Sequence, residues 1–168
     1  VTGTYHVRVE VGALQNRFVL TNAAGDPAAI EIVDGPYVIP ALEPFLEPLV
    51  VRVKDQYGNL VPGAPVAFVA VPGSSGASAS VQAIANTNDE GFAFVTPVAN
   101  GMEGAYDIIA SNPRGPAVTF ALVNEFPRPF AATHVEGAEQ KQYVLKEFPL
   151  GLSSIVRDQF SRPMPGVS

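Results

Sequence analysis

The chain has 168 residues, 47% of them hydrophobic, and a formal net charge of −6. This acidic balance leaves no basic patch to replace counterions at phosphates, which argues against nucleic-acid binding. The absence of cysteine excludes a disulfide, a thiol nucleophile and a thiolate metal site. No apolar run reaches the roughly 18 residues of a membrane span, so we expect no membrane contact by this segment.

The first predicted element is a β-hairpin. Apolar and polar side chains alternate along Thr4–Val11, Gly12 turns the chain, and Arg17–Asn22 returns with the same alternation. A short linker, Ala23–Pro27, precedes a predicted strand at Ala28–Val33.

The most informative stretch is Val50–Pro65, which reads as a strand, two tight turns and the start of another strand. Asp55 ends the strand, and its carboxylate can accept N–H groups of the residues that follow in an Asx turn. Gly58 and Asn59 tolerate positive φ. Pro62 and Gly63 fit the central positions of a type II turn. We therefore predict a structural turn made by Asp55, Gly58, Asn59, Pro62 and Gly63.

The rest of the chain up to residue 124 continues as short strands separated by turns. The prolines Pro40 and Pro44 suit an irregular edge segment between Tyr37 and Leu46. Further strands are predicted at Pro65–Val71, Ser78–Asn86, Phe92–Val98, Gly104–Ser111 and Pro116–Val123. About eight strands without an amphipathic helix predict an all-β, immunoglobulin-like Greek-key β-sandwich.

The core of that sandwich is predicted from the strand alternation. It consists of Ile30, Ile32, Val51, Val53, Val66, Phe68, Val81, Phe92, Phe94, Tyr106, Ile108, Phe120 and Leu122.

Two sequence echoes indicate a tandem repeat. Asp158 lies 103 residues after Asp55 in a similar motif, and Asn124 lies 102 residues after Asn22. We therefore predict one complete repeat flanked by two partial ones. Residues 1–22 are the closing hairpin of a preceding domain, 23–124 a complete domain, and 125–168 the opening strands of a following domain. The chain is expected to be a window cut from a longer repeat protein. We also expect Pro127 and Pro129 to stiffen the second junction.

Two tyrosines occupy equivalent places in these repeats. Tyr106 follows Gly104 at the start of a late strand, and Tyr5 follows Gly3 in the same way. A tyrosine here can direct its hydroxyl back to the preceding connection, as in the tyrosine corner of sandwich domains.

Four motifs carry a resemblance to a known family. They are V-x-V-x-D-x-Y-G-N-x-V-P-G-x-P-V-x-F from Val51, T-N-D-E-G-F-A from Thr87, G-A-Y-D-I-I-A from Gly104 and F-A-L-V-N from Phe120. With them the chain resembles the bacterial immunoglobulin-like domain of the invasin and intimin family. Ser161 and Arg162 depart from the motif by replacing Gly58 and Asn59, so we expect a looser turn there.

The resemblance implies tandem sandwich domains that form a stiff extracellular rod on a bacterial surface adhesin of the outer membrane. The partners it implies are neighbouring repeats of the same protein or copies in a fibre, with a host receptor or glycan bound at a distal domain.

Little catalytic or metal chemistry is predicted. The two histidines, His6 and His134, belong to different repeats, and no serine lies in a nucleophile elbow. No cofactor is expected. The best alternative is calcium, because oxygen ligands suit that ion and one hairpin loop clusters Asn86, Asn88, Asp89 and Glu90, although without the spacing of a known calcium loop. A weaker candidate places an ion at a junction, using Asp26 or Asp34.

Two functional classes stay open after this, and an enzyme is not expected. The first is a structural spacer that holds an adhesive region away from the cell. The second is a host- or glycan-binding module that acts through loops such as Pro72–Ala77 or Gly101–Glu103. Those loops hold no Trp, Tyr or Arg, the residues that dominate binding hot spots, which favours the spacer. A phage-fibre or surface-layer subunit could use the same domain.

Overall fold

The computed structural model describes residues 2–113, 115 and 117–167. All regular secondary structure in these residues is β-strand. The chain divides into two compact units, Val1–Glu125 and Phe126–Ser168. None of the described residues forms a helix of the length and apolarity that would cross a bilayer. The strands are β1 (Gly3–Val11), β2 (Leu14–Asn22), β3 (Pro27–Asp34), β4 (Val38–Pro40), β5 (Leu49–Asp55), β6 (Pro65–Val71), β7 (Ala79–Ser80), β8 (Ile84–Asn86), β9 (Phe92–Val95), β10 (Val98–Ala99), β11 (Gly104–Ser111), β12 (Ala117–Glu125), β13 (Pro129–Glu136) and β14 (Ser153–Asp158).

Two sheets form the centre of the first unit. One has five strands in the order β4-β12-β11-β6-β8, and the other has three in the order β3-β5-β9. The short β4 pairs with β12 in parallel, and the other pairs in these two sheets are antiparallel. The sheets enclose one core, so the predicted all-β, immunoglobulin-like sandwich is confirmed.

Strand β5 shows how the sequence places that core. Its residues alternate between buried and half-buried, with Val51 and Val53 fully inside. Its outward cations, Arg52 and Lys54, both bond to Glu31 on β3 at 2.8 Å. Each fully buried valine or leucine of such a strand contributes roughly 1.5–3 kcal/mol relative to exposure. The opposing sheet contributes large inward side chains, among them Phe68, Tyr106, Ile108, Phe120 and Leu122.

The amino-terminal hairpin β1–β2 has the register of the closing hairpin β11–β12. Gly3 lies opposite Asn22 just as Gly104 lies opposite Asn124, and both glycines have φ of +136°. The hairpin β1–β2 forms its own two-stranded sheet, and every residue of it is exposed.

The second unit is built on the antiparallel pair β13–β14. Its register shifts at Pro129/Ala131 and His134/Glu136, which repeat the shifts of β3–β5 at Pro27/Ala29 and Ile32/Asp34. The long connection between the two strands exposes its apolar side chains, among them Val144, Phe148, Leu150 and Leu152.

Part of the predicted core is wrong. Phe94 is 58% exposed and Phe92 is half-buried, whereas their neighbours Ala93 and Val95 are inside. The pairing of β5 with β9 explains the error, since it sets Val95 opposite the inward Leu49. A one-residue shift of phase turns every side chain of a strand to the other face.

Three smaller differences concern strand ends. Ile32 is 42% exposed and lies at the register shift before Asp34, the last paired residue of β3 in the β3–β5 ladder. The predicted strand Ser78–Asn86 is two short strands, β7 and β8, and Val81 between them is only partly buried. The predicted start of the last strand at Pro116 lies outside the described residues.

Candidate functional site: the Asp55 turn and the linker

The carboxylate of Asp55 is the centre of the turn that follows β5. Its Oδ1 accepts the N–H groups of Tyr57 and Asn59, each at 2.9 Å. Its Oδ2 accepts the Asn59 amide and the N–H of Gly25, again each at 2.9 Å. Gly25 belongs to the linker between β2 and β3. One buried side chain therefore closes the turn and holds the linker against the sandwich.

These bonds favour the ionised form of the carboxyl group. The Asn59 amide and then the Gly25 N–H hold the pKa of Asp55 well below its usual range, against the opposing effect of burial. The turn therefore keeps its charged acceptor at every pH above the ordinary aspartate pKa of about 3.9.

The backbone around Asp55 has the two turns that the sequence indicates. Gly58 has φ of +80°, and its N–H donates to the Asp55 carbonyl at 3.0 Å. Gly63 has φ of +69° after Pro62, and its N–H donates to the Thr87 carbonyl at 2.9 Å. A side chain at either glycine would be strained, because L-residues rarely adopt such φ values.

A second version of the turn stands at Asp158 in the carboxy-terminal unit. Its Oδ1 accepts the N–H groups of Phe160 and Arg162, and its Oδ2 accepts the Arg162 guanidinium, each at 2.9 Å. Burial raises the pKa of Asp158, but the bonds from Arg162 and Phe160 outweigh it and lower the pKa overall. The expected looser turn is wrong, because Arg162 takes the place of Asn59 and Ser161 adopts φ of +64°.

The two turns hold their linkers in different ways. At position 127 the second linker has Pro127, which has no N–H to donate to Asp158. Gln159 supplies the contact instead: its amide donates to the Phe126 carbonyl at 2.8 Å, and its oxygen accepts the Arg128 N–H at 2.8 Å. Sequence reasoning missed both linker contacts, because they join residues 30 or more positions apart.

A cleft of about 410 Å³ lies beside the first linker. It is lined by Asn22, Leu60, Asp89 and Glu90 among others. Two of these, Asp89 and Glu90, belong to the four predicted calcium ligands.

One side-chain oxygen among the calcium candidates, Asn88 Oδ1, is used within the loop. Asn88 Oδ1 accepts the N–H groups of Glu90 at 3.0 Å and Phe92 at 2.9 Å. Asn86 lies on β8 opposite Pro65. Among the residues that the structure describes, no three histidine, cysteine, aspartate or glutamate side chains come together as a metal site requires.

The tyrosine corner predicted at Tyr106 shows no hydrogen bond of the hydroxyl among the residues that the structure describes. The hydroxyl of Tyr106 is buried and has no partner in the described part of the chain. Burial raises the pKa of Tyr106 to about 12. Tyr5, its equivalent in β1, is 44% exposed.

A second polar cluster, which sequence reasoning did not identify, lies around Asn124. This fully buried amide donates to the carbonyls of Ser78 at 3.0 Å and Met102 at 3.3 Å and to Asn100 Oδ1 at 3.1 Å. Asn100 in turn donates to the Gly76 carbonyl at 2.9 Å. The signal was present in the sequence, since Asn22 occupies the equivalent place 102 residues earlier.

The Asn124 cluster holds both loops of the predicted binding module in place. Pro72–Ala77 and Gly101–Glu103 are joined through it, and the N–H of Gly73 donates to the Ala77 carbonyl at 3.0 Å within the first loop. Hydrogen bonds therefore hold these two loops together at one end of the sandwich.

Comparisons with known proteins support the fold. No protein-family model and no curated protein matches the chain. Among solved structures, FdeC, an adhesin of Escherichia coli, is 17% identical with a TM-score of 0.54 over 98% of this chain and 53% of that one. A structure of the S-layer protein SbsC is 19% identical with a TM-score of 0.51 over 98% of this chain and 21% of that one.

The chain thus spans about half of the FdeC chain and about a fifth of the SbsC chain. At these identities the likeness concerns the fold alone. It agrees with the two packed sheets described above, and the chain is similar in architecture to the immunoglobulin-like domains of surface proteins.

Proposed function

We propose that this chain is part of a rod of tandem immunoglobulin-like domains, of the invasin and intimin type, on a bacterial surface. Residues 23–124 act in it as a structural spacer that holds a distal adhesive region away from the cell. The domain limits 1–22, 23–124 and 125–168 belong to the same proposal. It includes no catalysis, and its partners are the neighbouring repeats.

The observation that carries the proposal is the recurrence of one turn geometry. Asp55 and Asp158 lie 103 residues apart, and each closes its turn with the same pattern of main-chain bonds. In both units a side chain of the turn also bonds the preceding linker. A linker held in this way resists bending, which is what a spacer requires of its junctions. The fold similarity to an adhesin and an S-layer protein supports a surface location.

An experiment on the first junction tests the spacer role. The chain has no cysteine, so Gln15→Cys in the hairpin and Ala83→Cys in the sandwich give two unique spin-label sites. We expect one narrow distance distribution between the labels, broadened by Asp55→Ala because the Gly25 N–H loses its acceptor. The matched control is Asp89→Ala, which changes a carboxylate of the adjacent cleft and should leave the distribution narrow. A broad distribution in the parent chain argues against a spacer.

One residue favours a binding module as the second candidate. Tyr57 is 78% exposed at the tip of the Asp55 turn, and exposed tyrosine is typical of binding hot spots. Glycan-array and host-protein binding of the purified chain, compared with Tyr57→Ser, separates the two functions. Binding that Tyr57→Ser abolishes supports the second candidate, and the absence of binding supports the spacer.

A further inference from the structure

We propose that the open edge of β12, residues Val118–Leu122, pairs in antiparallel fashion with the same segment of a second copy of this chain. The contact extends the five-stranded sheet of one molecule into that of its neighbour. It is a lateral contact between copies and does not depend on the spacer role.

The main-chain directions identify the open edge. β4 covers β12 only at Val123–Glu125, where the Val123 N–H donates to the Tyr37 carbonyl at 2.8 Å and the Glu125 carbonyl accepts the Ala41 N–H at 2.9 Å. Main-chain groups alternate in direction along a strand, so the other odd-numbered residues face the same way. Thr119 and Ala121 therefore direct N–H and C=O groups to an edge where no described strand pairs with them.

The unpaired main-chain groups of the open edge can bind another extended strand. An unpaired strand edge is a template for another strand, and natural proteins protect such edges with charge, proline or short length. Val118–Leu122 has none of these protections. The edge of the other sheet at β3 carries Glu31 and Asp34 instead. At the far edge of the five-stranded sheet, β8 has only three residues.

Space for an added strand is present beside this edge. A groove of about 200 Å³ runs along it, lined by Ile32, Gly35, Tyr37 and the Thr119–Leu122 segment. Tyr37 and Ile32 at its rim are 75% and 42% exposed. The groove gives room to apolar side chains of an incoming strand.

A second copy fits the edge better than a charged partner does. In an antiparallel pair centred on residue 120, Thr119 of each copy lies opposite Ala121 of the other, which gives about four main-chain hydrogen bonds. All five side chains of the segment are uncharged, so no like charges meet across the two-fold axis.

The contact is weak between free molecules. Five residues a side bury far less than the roughly 1,200 Å² of a stable complex. Copies tethered side by side experience a high effective concentration, and weak contacts repeated along them then add.

Nuclear magnetic resonance spectra of the chain over a concentration series test this proposal. We expect the amide resonances of Thr119 and Ala121 to shift with concentration more than those elsewhere. Ala121→Lys should abolish the shifts, because two lysines then lie within reach across the axis. Ala121→Glu should do the same, and an equimolar mixture of the two variants should restore them. Ile84→Lys on the opposite sheet edge is the matched control and should leave the shifts unchanged.

The spectra also report whether each variant is folded, since a folded variant keeps the dispersion of the parent. The proposal is overturned if the parent shows no concentration-dependent shifts or shows them on another surface. It is equally overturned if Ala121→Lys leaves them intact or if the mixture of variants does not restore them.

Discussion

The two hairpins β1–β2 and β11–β12 share a register and differ in burial. Val7 pairs with Phe18 in the first, and Ile108 pairs with Phe120 in the second. Phe18 is 49% exposed, whereas Phe120 is 5% exposed. Only β11–β12 faces the sheet β3-β5-β9. Alternation of apolar residues is therefore enough to specify a hairpin, whereas a core also requires an opposing sheet.

The largest expected effect comes from removing the same side chain on each hairpin. Phe120→Ala should lower the free energy of unfolding by about 3–5 kcal/mol, because it leaves a cavity between two packed sheets. Phe18→Ala should change it by less than about 1 kcal/mol, since the ring is half exposed already. Urea unfolding measures both. Equal losses in the two variants would mean that β1–β2 is packed as tightly as β11–β12.

The next largest effect is expected from a buried and an exposed position of the same strand. Val95→Ala on β9 should lower the free energy of unfolding by about 2 kcal/mol, because Val95 is buried opposite Leu49. Phe94→Ser beside it should change that free energy by only about 0.5 kcal/mol, because Phe94 points to solvent. The same urea experiment compares them. A larger loss for Phe94→Ser than for Val95→Ala would reverse the assigned phase.

For strand β9, the sequence alone did not predict which side chains are buried. Its residues Phe92–Val95 are all apolar, so alternation gives no phase, and size alone favours the phenylalanines inside. The phase is set by pairing with β5, a partner some 40 residues away in the chain. The space between the sheets is already filled by Phe68, Ile108 and Phe120.

Local chemistry was easier to predict than distant contacts. The Asp55 turn follows from the sequence, because aspartate, glycine and proline favour turns through hydrogen bonds and φ values of the nearest residues. The contact of Gly25 with Asp55 and the surroundings of the Tyr106 hydroxyl depend on how distant segments meet. Arg162 in the second turn shows that a different side chain can supply the hydrogen bond of Asn59.

A smaller effect is expected from the equivalent asparagines of the two hairpins. Asn124→Ala should lower the free energy of unfolding by about 1–3 kcal/mol, because the fully buried Asn124 amide loses its hydrogen bonds to Ser78, Asn100 and Met102. Asn22→Ala should leave the stability almost unchanged, since Asn22 is exposed. Thermal or urea unfolding measures the difference. A loss in Asn22→Ala as large as that in Asn124→Ala would show that the first hairpin has a similar polar cluster.

The smallest expected effect is the dependence of the free energy of unfolding on pH. The pKa of Asp55 is lowered in the folded chain by the Asn59 and Gly25 bonds, so its contribution to stability is complete above the unfolded-state pKa of about 3.9. The contribution decreases as the pH falls from there toward the lower folded-state pKa. The Asp55→Asn variant should be less stable than the parent chain at neutral pH. It should also lose less stability than the parent on acidification.

Unfolding at a series of pH values measures this dependence, with Asp89→Asn as the control that keeps the acid response of the parent. An Asp55→Asn variant with the acid response of the parent would contradict the assigned role of the carboxylate.

Native-state hydrogen exchange tests the comparison of the hairpins most directly. The amides of Phe120 and Leu122 should exchange slowly, close to the rate of global unfolding, because the opposing sheet covers them. The amides of Phe18 and Leu20, at the same cross-strand positions of β1–β2, should exchange much faster through local opening. Equal protection at the two pairs of positions would contradict the account, since it would mean that register alone, without an opposing sheet, makes the hairpin stable.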